Sequence, residues 1–413
     1  MAWPERCVVS MKELLAQRVN PDVSSALSGL FPQDPNPTAI TFAAGSPNEK
    51  LFPVKEVQAA FNTAIEQEGA HLFQYQSSQG NPALRQKLAD RIAKWGNVTT
   101  TAENVLLTVG GQQGVELVAK ALLNDGDDIA VEVPTYIGAL AAFDLYRPRY
   151  HAVGLQPDGI DLDQVEATMQ RYPHTKLLYT VPDYHNPTGI TMSVDKRRKL
   201  VELANRYNFV ILEDTPYRDL GYEHAPLPAI KSFDTEGRVA FLSSFSKIMM
   251  PALRTGWLVA DGELLQAILK MRLASDLEAT GVTHAAINAY MDHNDLDAHI
   301  RAMNDHYRQQ RDAMLTGLRD YFPDEATYTK PAGGFFDWVT LPKGIDAGQL
   351  MLNVISPDAH VTYVPATNFY PNRDVHNALR LSFSGVDPAT IDAGMHRLGD
   401  QLKAAVRQVN PVI

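Results

Sequence analysis

Cysteine is almost missing from this chain: Cys7 is the only one in 413 residues, so an intramolecular disulfide is excluded, and a disulfide-built scaffold with it. No apolar run approaches the ~18 residues needed to cross a bilayer. The opening residues Met1-Ala2-Trp3-Pro4-Glu5-Arg6 lack the charged and then apolar regions of a secretory signal. Cationic charge is in deficit. Thirty-seven Lys and Arg stand against 48 Asp and Glu, a formal net charge of −11, and the resulting field repels phosphate polymers and anionic lipid. Nucleic acid and membrane are therefore not expected as partners, and a cytoplasmic location is. Internal repeats, low-complexity tracts and an obvious flexible linker are missing too. What remains is ordinary for a folded soluble protein, with 45% apolar and 21% charged residues and a length that predicts two or three domains.

Residues 1 to 40 are poorly patterned, with prolines at 4, 21, 32, 35 and 37, and read as an arm laid over another part of the molecule. From about 55, short apolar runs alternate with amphipathic stretches. Val105–Val109, Ile129–Val133, Lys176–Val181 and Phe209–Leu212 have strand length and composition, while Pro82–Trp95 and Val194–Tyr207 carry the helical period. Strands alternating with helices predict an α/β domain with a mostly parallel sheet, whose ligands gather beyond the carboxyl ends of the strands. After about 295 the texture changes. A long helix is predicted over His299–Tyr321, short strands at Phe335–Thr340, Val361–Val364 and Leu379–Phe383, and a last helix from Pro388 to Val406. The expected organisation is an arm with the start of a small domain (1–54), a large domain (55–295) and a smaller α+β domain (296–413).

The predicted strand ends carry the chemistry. Val109-Gly110-Gly111-Gln112-Gln113-Gly114 runs from a strand into a helix, which serves either as a plain turn or as a cradle whose free N–H groups receive an anion. Asn186, in Pro182-Asp183-Tyr184-His185-Asn186-Pro187-Thr188-Gly189, is part of a good turn and also an amide placed where ligands bind. His185 has no second histidine at ligand spacing, so a hydrogen-bonding role is expected and no metal is. Glu213-Asp214 closes an apolar strand, where one acid caps a helix or a carboxylate pairs with a cation in a partly dry site. Lys247 follows Phe241-Leu242-Ser243-Ser244-Phe245-Ser246. Most lysines are merely solvated, but one desolvated there becomes a neutral nucleophile toward an aldehyde. A lysine, an acid, an anion cradle and Arg254 together form the inventory that pyridoxal 5′-phosphate requires.

With these residues the chain resembles fold type I, class I/II pyridoxal-phosphate aminotransferases, most nearly the branch of 2-aminoadipate and kynurenine aminotransferases. The anchors keep family order, with intervals of 28 from Asn186 to Asp214, 33 from Asp214 to Lys247 and 7 from Lys247 to Arg254. The resemblance implies a large domain with a helix-sandwiched sheet, a smaller domain, and transfer of an α-amino group from an L-amino acid to a 2-oxo acid, 2-oxoglutarate by expectation. It implies that Lys247 forms the internal aldimine, that Asp214 keeps the pyridine nitrogen protonated, and that Asn186 and Tyr217 hydrogen-bond the phenolic oxygen. Tyr136 would stack on the ring. Gly111, Gln112, Ser244, Ser246 and Arg254 would receive the phosphate, and Tyr75 would reach the neighbouring subunit's phosphate in a homodimer. Arg380 would clamp the substrate carboxylate, with Gly45 in the substrate-side loop. Gly111, Ala252, Met249-Met250 and His185 depart from common family residues. The same constellation also serves racemases, decarboxylases, lyases and oxidases, and a regulator's ligand-sensing domain has the same fold. The latter would require a basic DNA-binding segment of substantial length, which the roughly 40 proline-broken residues before Thr41 in an acidic protein are not expected to supply.

Overall fold

The computed structural model describes residues 10–19 and 36–409, so Cys7 and most of the expected arm lie outside the described residues. Of that arm, a short helix at Met11–Leu14 is described, and it buries nothing. The large sheet is built from β2 (Val105–Thr108), β3 (Asp128–Val133), β4 (Arg149–Gln156), β5 (Gly159–Ile160), β6 (Leu177–Thr180), β7 (Val210–Asp214), β8 (Val239–Ser244) and β9 (Gly256–Val259). Their order is β2-β9-β8-β7-β6-β3-β4-β5. Strands β4, β3, β6, β7 and β8 run parallel, while β9 is antiparallel to both β8 and β2.

The near-continuous apolar composition of β2, β6, β8 and β9 follows from burial on both faces, while β4, toward the sheet edge, is partly exposed. Ile129, Val131, Leu177, Tyr179, Leu212 and Leu242 point into one core, with the helices Gly110–Leu122 and Gly262–Asp276 above them. Ala130, Leu178, Ile211 and Val239 point the opposite way, toward the helices Leu162–Arg171 and Val194–Tyr207. The alternation by one residue is the period of two that strand geometry imposes. Helix Gly110–Leu122 lies close on the sheet because Gly114 has no side chain: a Cβ there would meet Leu242 Cδ1 at 2.2 Å. That approach sets where the first turn of the helix points.

The second sheet, β10 (Thr327–Tyr328), β11 (Phe336–Thr340), β13 (Val364–Pro365) and β14 (Ala378–Ser382), is antiparallel in the order β10-β11-β14-β13. It packs with the helices Leu296–Tyr321 and Pro388–Val409, whose apolar faces meet in one core. The run expected as one strand at Val361–Val364 is instead two. β12 (Val361–Thr362) pairs with β1 (Ile40–Thr41), and β13 pairs with β14. The chain turns between them at buried Tyr363, whose hydroxyl donates to the Ala347 carbonyl at 2.7 Å. From β1 the chain continues through Phe42 to Ser46, between the second sheet and the large one, with the Ser382 N–H donating to the Phe42 carbonyl at 2.7 Å.

Candidate active site

Because β2, β3, β6, β7 and β8 all point the same way, their carboxyl ends open on one edge of the sheet. Gly111 and Gln112 follow β2, Tyr136 follows β3, Asn186 follows β6, Asp214 and Tyr217 end β7, and Ser244, Ser246 and Lys247 end β8. All of them, with Gly45, Arg254 and Arg380, line one cavity of about 230 Å³. The far wall is the second sheet. There Trp338 pairs with Arg380 and Phe336 with Ser382, a register that puts Phe336 and Arg380 on the face turned to the cavity.

Three ionisable groups dominate the site. Asp214 is buried and accepts one hydrogen bond, from the Tyr179 hydroxyl at 2.8 Å. Desolvation pushes its carboxyl up to about 6, against the lowering effect of that bond. Burial, and then the positive charges of Arg380 and Arg254, hold the Lys247 amine down at about 8, and its Nζ donates to the Gly45 carbonyl at 2.7 Å. Arg380 is 2% exposed. Its Nη1 donates to Asn186 Oδ1 at 2.9 Å and its Nη2 to the Ala43 carbonyl at 2.6 Å, while Nε has no hydrogen-bond partner among the described residues. Phe336 and Phe369 lie 4.2 and 5.1 Å from the guanidinium carbon, and desolvation lowers its pKa to about 10. None of the three has a counterion among the described residues. Buried charges without counterions are costly, and such a set suits a ligand that brings a cation to Asp214 and a carboxylate to Arg380.

The anion end of the cavity is built by backbone. Gly110 has φ +72°, and a Cβ on it would meet Arg254 Nη2 at 2.5 Å, so the turn and the arginine require glycine there. Arg254 Nη2 donates to the Val109 carbonyl at 3.2 Å. The Ser244 and Ser246 hydroxyls are 2.8 Å apart, and the Gln112 side chain donates to the Gly138 carbonyl at 2.6 Å. A helix N-terminus, two hydroxyls and a guanidinium converge on one region, which fits a phosphate. With Lys247, Asp214 and a cavity of this size, the residues fit pyridoxal 5′-phosphate.

Asn186 Nδ2 lies 3.5 Å from the Tyr217 hydroxyl, so one amide touches both Tyr217 and Arg380. Tyr136 has its phenol pushed up to about 12, chiefly by burial. His185 is buried with Nδ1 2.9 Å from Thr188 Oγ1 and Nε2 3.2 Å from Glu132 Oε2, a pair behind the cavity wall. Glu213 takes the capping place: its carboxylate accepts the Ile230 and Lys231 N–H groups, each at 2.8 Å. Tyr75 is the one expected residue that does not line this cavity; it is 78% exposed. The sequence reading missed Tyr179, Ser46 and Phe336. Tyr179 had a signal, a phenol inside an otherwise apolar strand that must find a partner when buried. Phe336 had a weaker one, the Gly333-Gly334 pair before Phe335-Phe336. Ser46 had none.

Residues 38–398 match the family model for aminotransferase class I and II. The chain is 35% identical over 373 residues to aromatic-amino-acid aminotransferase 1 of Thermococcus litoralis, covering 89% of each. Two solved structures are similar throughout. The multiple substrate aminotransferase of Thermococcus profundus has a TM-score of 0.90 and 34% identity, over 97% of this chain and 100% of that one. The α-aminoadipate aminotransferase of Thermus thermophilus, solved with N-(5′-phosphopyridoxyl)-L-leucine, has a TM-score of 0.87 and 30% identity over 97% and 100%.

Proposed function

This chain belongs to the class I and II aminotransferases, and from that premise we propose that the cavity between Lys247 and Arg380 is where it transfers the α-amino group of an L-amino acid, with 2-oxoglutarate as acceptor. It is a pyridoxal-phosphate-dependent transaminase acting on amino acids and 2-oxo acids. The observation that carries the site assignment is half-buried Lys247 with buried Asp214 and Arg380 around one cavity, each without a counterion among the described residues.

Bound pyridoxal 5′-phosphate supplies an aldehyde for amine exchange and a ring that takes up the electron pair left when the Cα–H bond breaks. Lys247 Nζ, its proton affinity already lowered by burial, is the base that would take the Cα proton of the donor and, in the reverse half-reaction, place one on the Cα of the acceptor. Asp214 holds a proton on the ring nitrogen, and Tyr179 keeps the carboxylate aimed. Arg380 offers a planar fork to the α-carboxylate shared by donor and acceptor, and Asn186 Oδ1 fixes the plane of that fork. The phenyl rings of Phe336 and Phe369 exclude water from the guanidinium and strengthen its hold on an anion. Gly111, Gln112, Ser244, Ser246 and Arg254 receive the phosphate.

The working unit is a homodimer in this reading. Phe73, Tyr75 and Leu277 are exposed apolar side chains on two segments joined by the Gln76 N–H donating to Glu278 at 2.5 Å. A second copy covering this face supports a role for Tyr75 at the neighbour's phosphate. In this reading the described residues divide into a start of the small domain up to 54, a large domain at 55–295 and the small domain from 296 to 409. The test is turnover of a panel of aromatic, aliphatic and acidic L-amino acids with 2-oxoglutarate, the oxo product identified by mass. The expected result is stoichiometric oxo acid and glutamate, abolished in Lys247→Ala. A Lys247→Ala enzyme that still turns over at a tenth of the parent rate would overturn the assignment, since losing a general base costs ~10²–10⁴-fold.

A further inference from the structure

Behind the phosphate cradle lies a polar cluster that the reaction does not use, buried at Arg272 and His284 and open to solvent at Asp276. Arg272, in the helix Gly262–Asp276, is 0% exposed. Its Nη1 donates to Gln113 Oε1, its Nε lies 3.0 Å from Asp276 Oδ1, and Nη2 is buried with no hydrogen-bond partner among the described residues. Both ring nitrogens of buried His284 also lack a hydrogen-bond partner among the described residues, and burial together with the charge of Arg272 lowers its pKa to about 4. The imidazole is therefore neutral beside the guanidinium at physiological pH.

Gln113 joins this cluster to the cradle. Its Oε1 accepts the Val109 N–H at 2.8 Å as well as Arg272, and its Nε2 donates to Asp276 Oδ2 at 2.5 Å. The Val109 carbonyl is held in turn by Arg254 Nη2. The residue that enters the Gly110 turn is thus pinned at both polar ends, its N–H from behind by Gln113 and its C=O from the front by Arg254. A glutamine suits the task, because a carboxylate could not donate to Asp276. A fully buried guanidinium that leaves one nitrogen unpaired is expensive to keep, and its one hydrogen bond among the described residues is the one that fixes the cradle.

We infer that Arg272 is a positioning residue for the cofactor phosphate, acting through Gln113 to fix the Val109–Gly111 turn so that its N–H groups and Arg254 converge on one anion. The inference rests on the reading that this turn receives the phosphate. Losing Arg272 frees Gln113 to rotate, the Val109 N–H loses its acceptor, and the turn relaxes. The phosphate is then held less well, while the ring end of the cofactor, at Asp214 and Lys247, is untouched.

The experiment titrates cofactor-free enzyme with pyridoxal 5′-phosphate and, separately, with pyridoxal, which has no phosphate. Parent, Arg272→Met, Gln113→Leu and the double variant are compared by fluorescence. Each single substitution is expected to raise the Kd for pyridoxal 5′-phosphate ~10-fold or more, as for a hydrogen bond to a charged group, and to leave that for pyridoxal within ~twofold. The double variant should be little worse than either single one, because both break the same link. Arg272→Lys, which keeps the charge without the fork, should fall between parent and Arg272→Met. Equal losses for the two cofactor forms, or effects that multiply in the double variant, would overturn the inference. If Arg272→Met does not fold, Gln113→Leu reads the same ratio from a half-buried position. A parent enzyme that bound both forms equally would refute the cradle assignment itself, and the inference with it.

Discussion

Replacing Arg380 with methionine separates what this residue does for the fold from what it does for the substrate. Burial lowers its pKa to about 10, a fall worth ~3 kcal/mol against the charged form. Methionine keeps much of the stem between Phe336 and Phe369 and removes that cost. It also leaves Asn186 Oδ1 and the Ala43 carbonyl without their donor, two lost bonds at ~1 to 1.5 kcal/mol each. The two effects nearly cancel, so the ligand-free variant should unfold within ~1 kcal/mol of the parent in a denaturant titration. Catalysis has no such compensation. Losing a buried charged contact to the α-carboxylate costs ~2 to 5 kcal/mol, which is ~30- to 5,000-fold in kcat/KM. The decisive assay compares an L-amino acid donor with the amine left by removing its carboxylate. Arg380→Met should collapse kcat/KM for the amino acid and leave that for the amine unchanged. Equal losses for both, or a variant within threefold of the parent on the amino acid, would refute this account of Arg380, and a loss of several kcal/mol in stability would make it a structural residue.

Asp214→Asn should cost on the order of 10³-fold in kcat by removing the charge that holds the ring proton; a variant within tenfold of the parent would remove Asp214 from that role. The lowered Lys247 pKa predicts how cofactor-free enzyme reloads. Its amine is protonated below about 8, so the rate of uptake should rise ~10-fold per pH unit up to about 8 and then level off. A rise continuing toward the 10.5 of an ordinary lysine would show that the amine is not desolvated. Tyr75→Phe should increase cofactor loss on dialysis in a protein that light scattering reports as a dimer, and a fully active stable monomer would refute the assignment of Tyr75.

Much of the large unit was legible because its signals are local. A strand buried on both faces must be apolar along its length, so Leu177–Thr180 and Val239–Ser244 are conspicuous. Ligand chemistry sits where such strands end, so Asn186, Asp214 and Lys247 could be found by reading the two to six residues that follow each apolar run. The split at Tyr363 was not legible. A four-residue apolar run reads the same whether one sheet takes all of it or two sheets share it, and the choice lies with β1, more than 300 residues earlier. Tyr179 was missed for a related reason. Its phenol counts as strand composition until Asp214, on the neighbouring strand, is seen to receive it.

What the chain alone determines is chemical inventory and order: which groups exist, at what spacing, and that alternating strands and helices must put them along one sheet edge. Backbone periodicity and turn chemistry are short-range, and a single chain displays them. Tertiary structure decides which of these groups lose their water and their counterions. Arg380 stands 133 residues after Lys247 in the chain, yet both line one cavity. The depressed amine, the raised Asp214 carboxyl and the lowered guanidinium come first from burial, to which the charges of Arg380 and Arg254 add at Lys247. Desolvation is a property of a place and not of a residue type, so these groups become reactive only when the second sheet and the Phe42–Ser46 segment close over the strand ends.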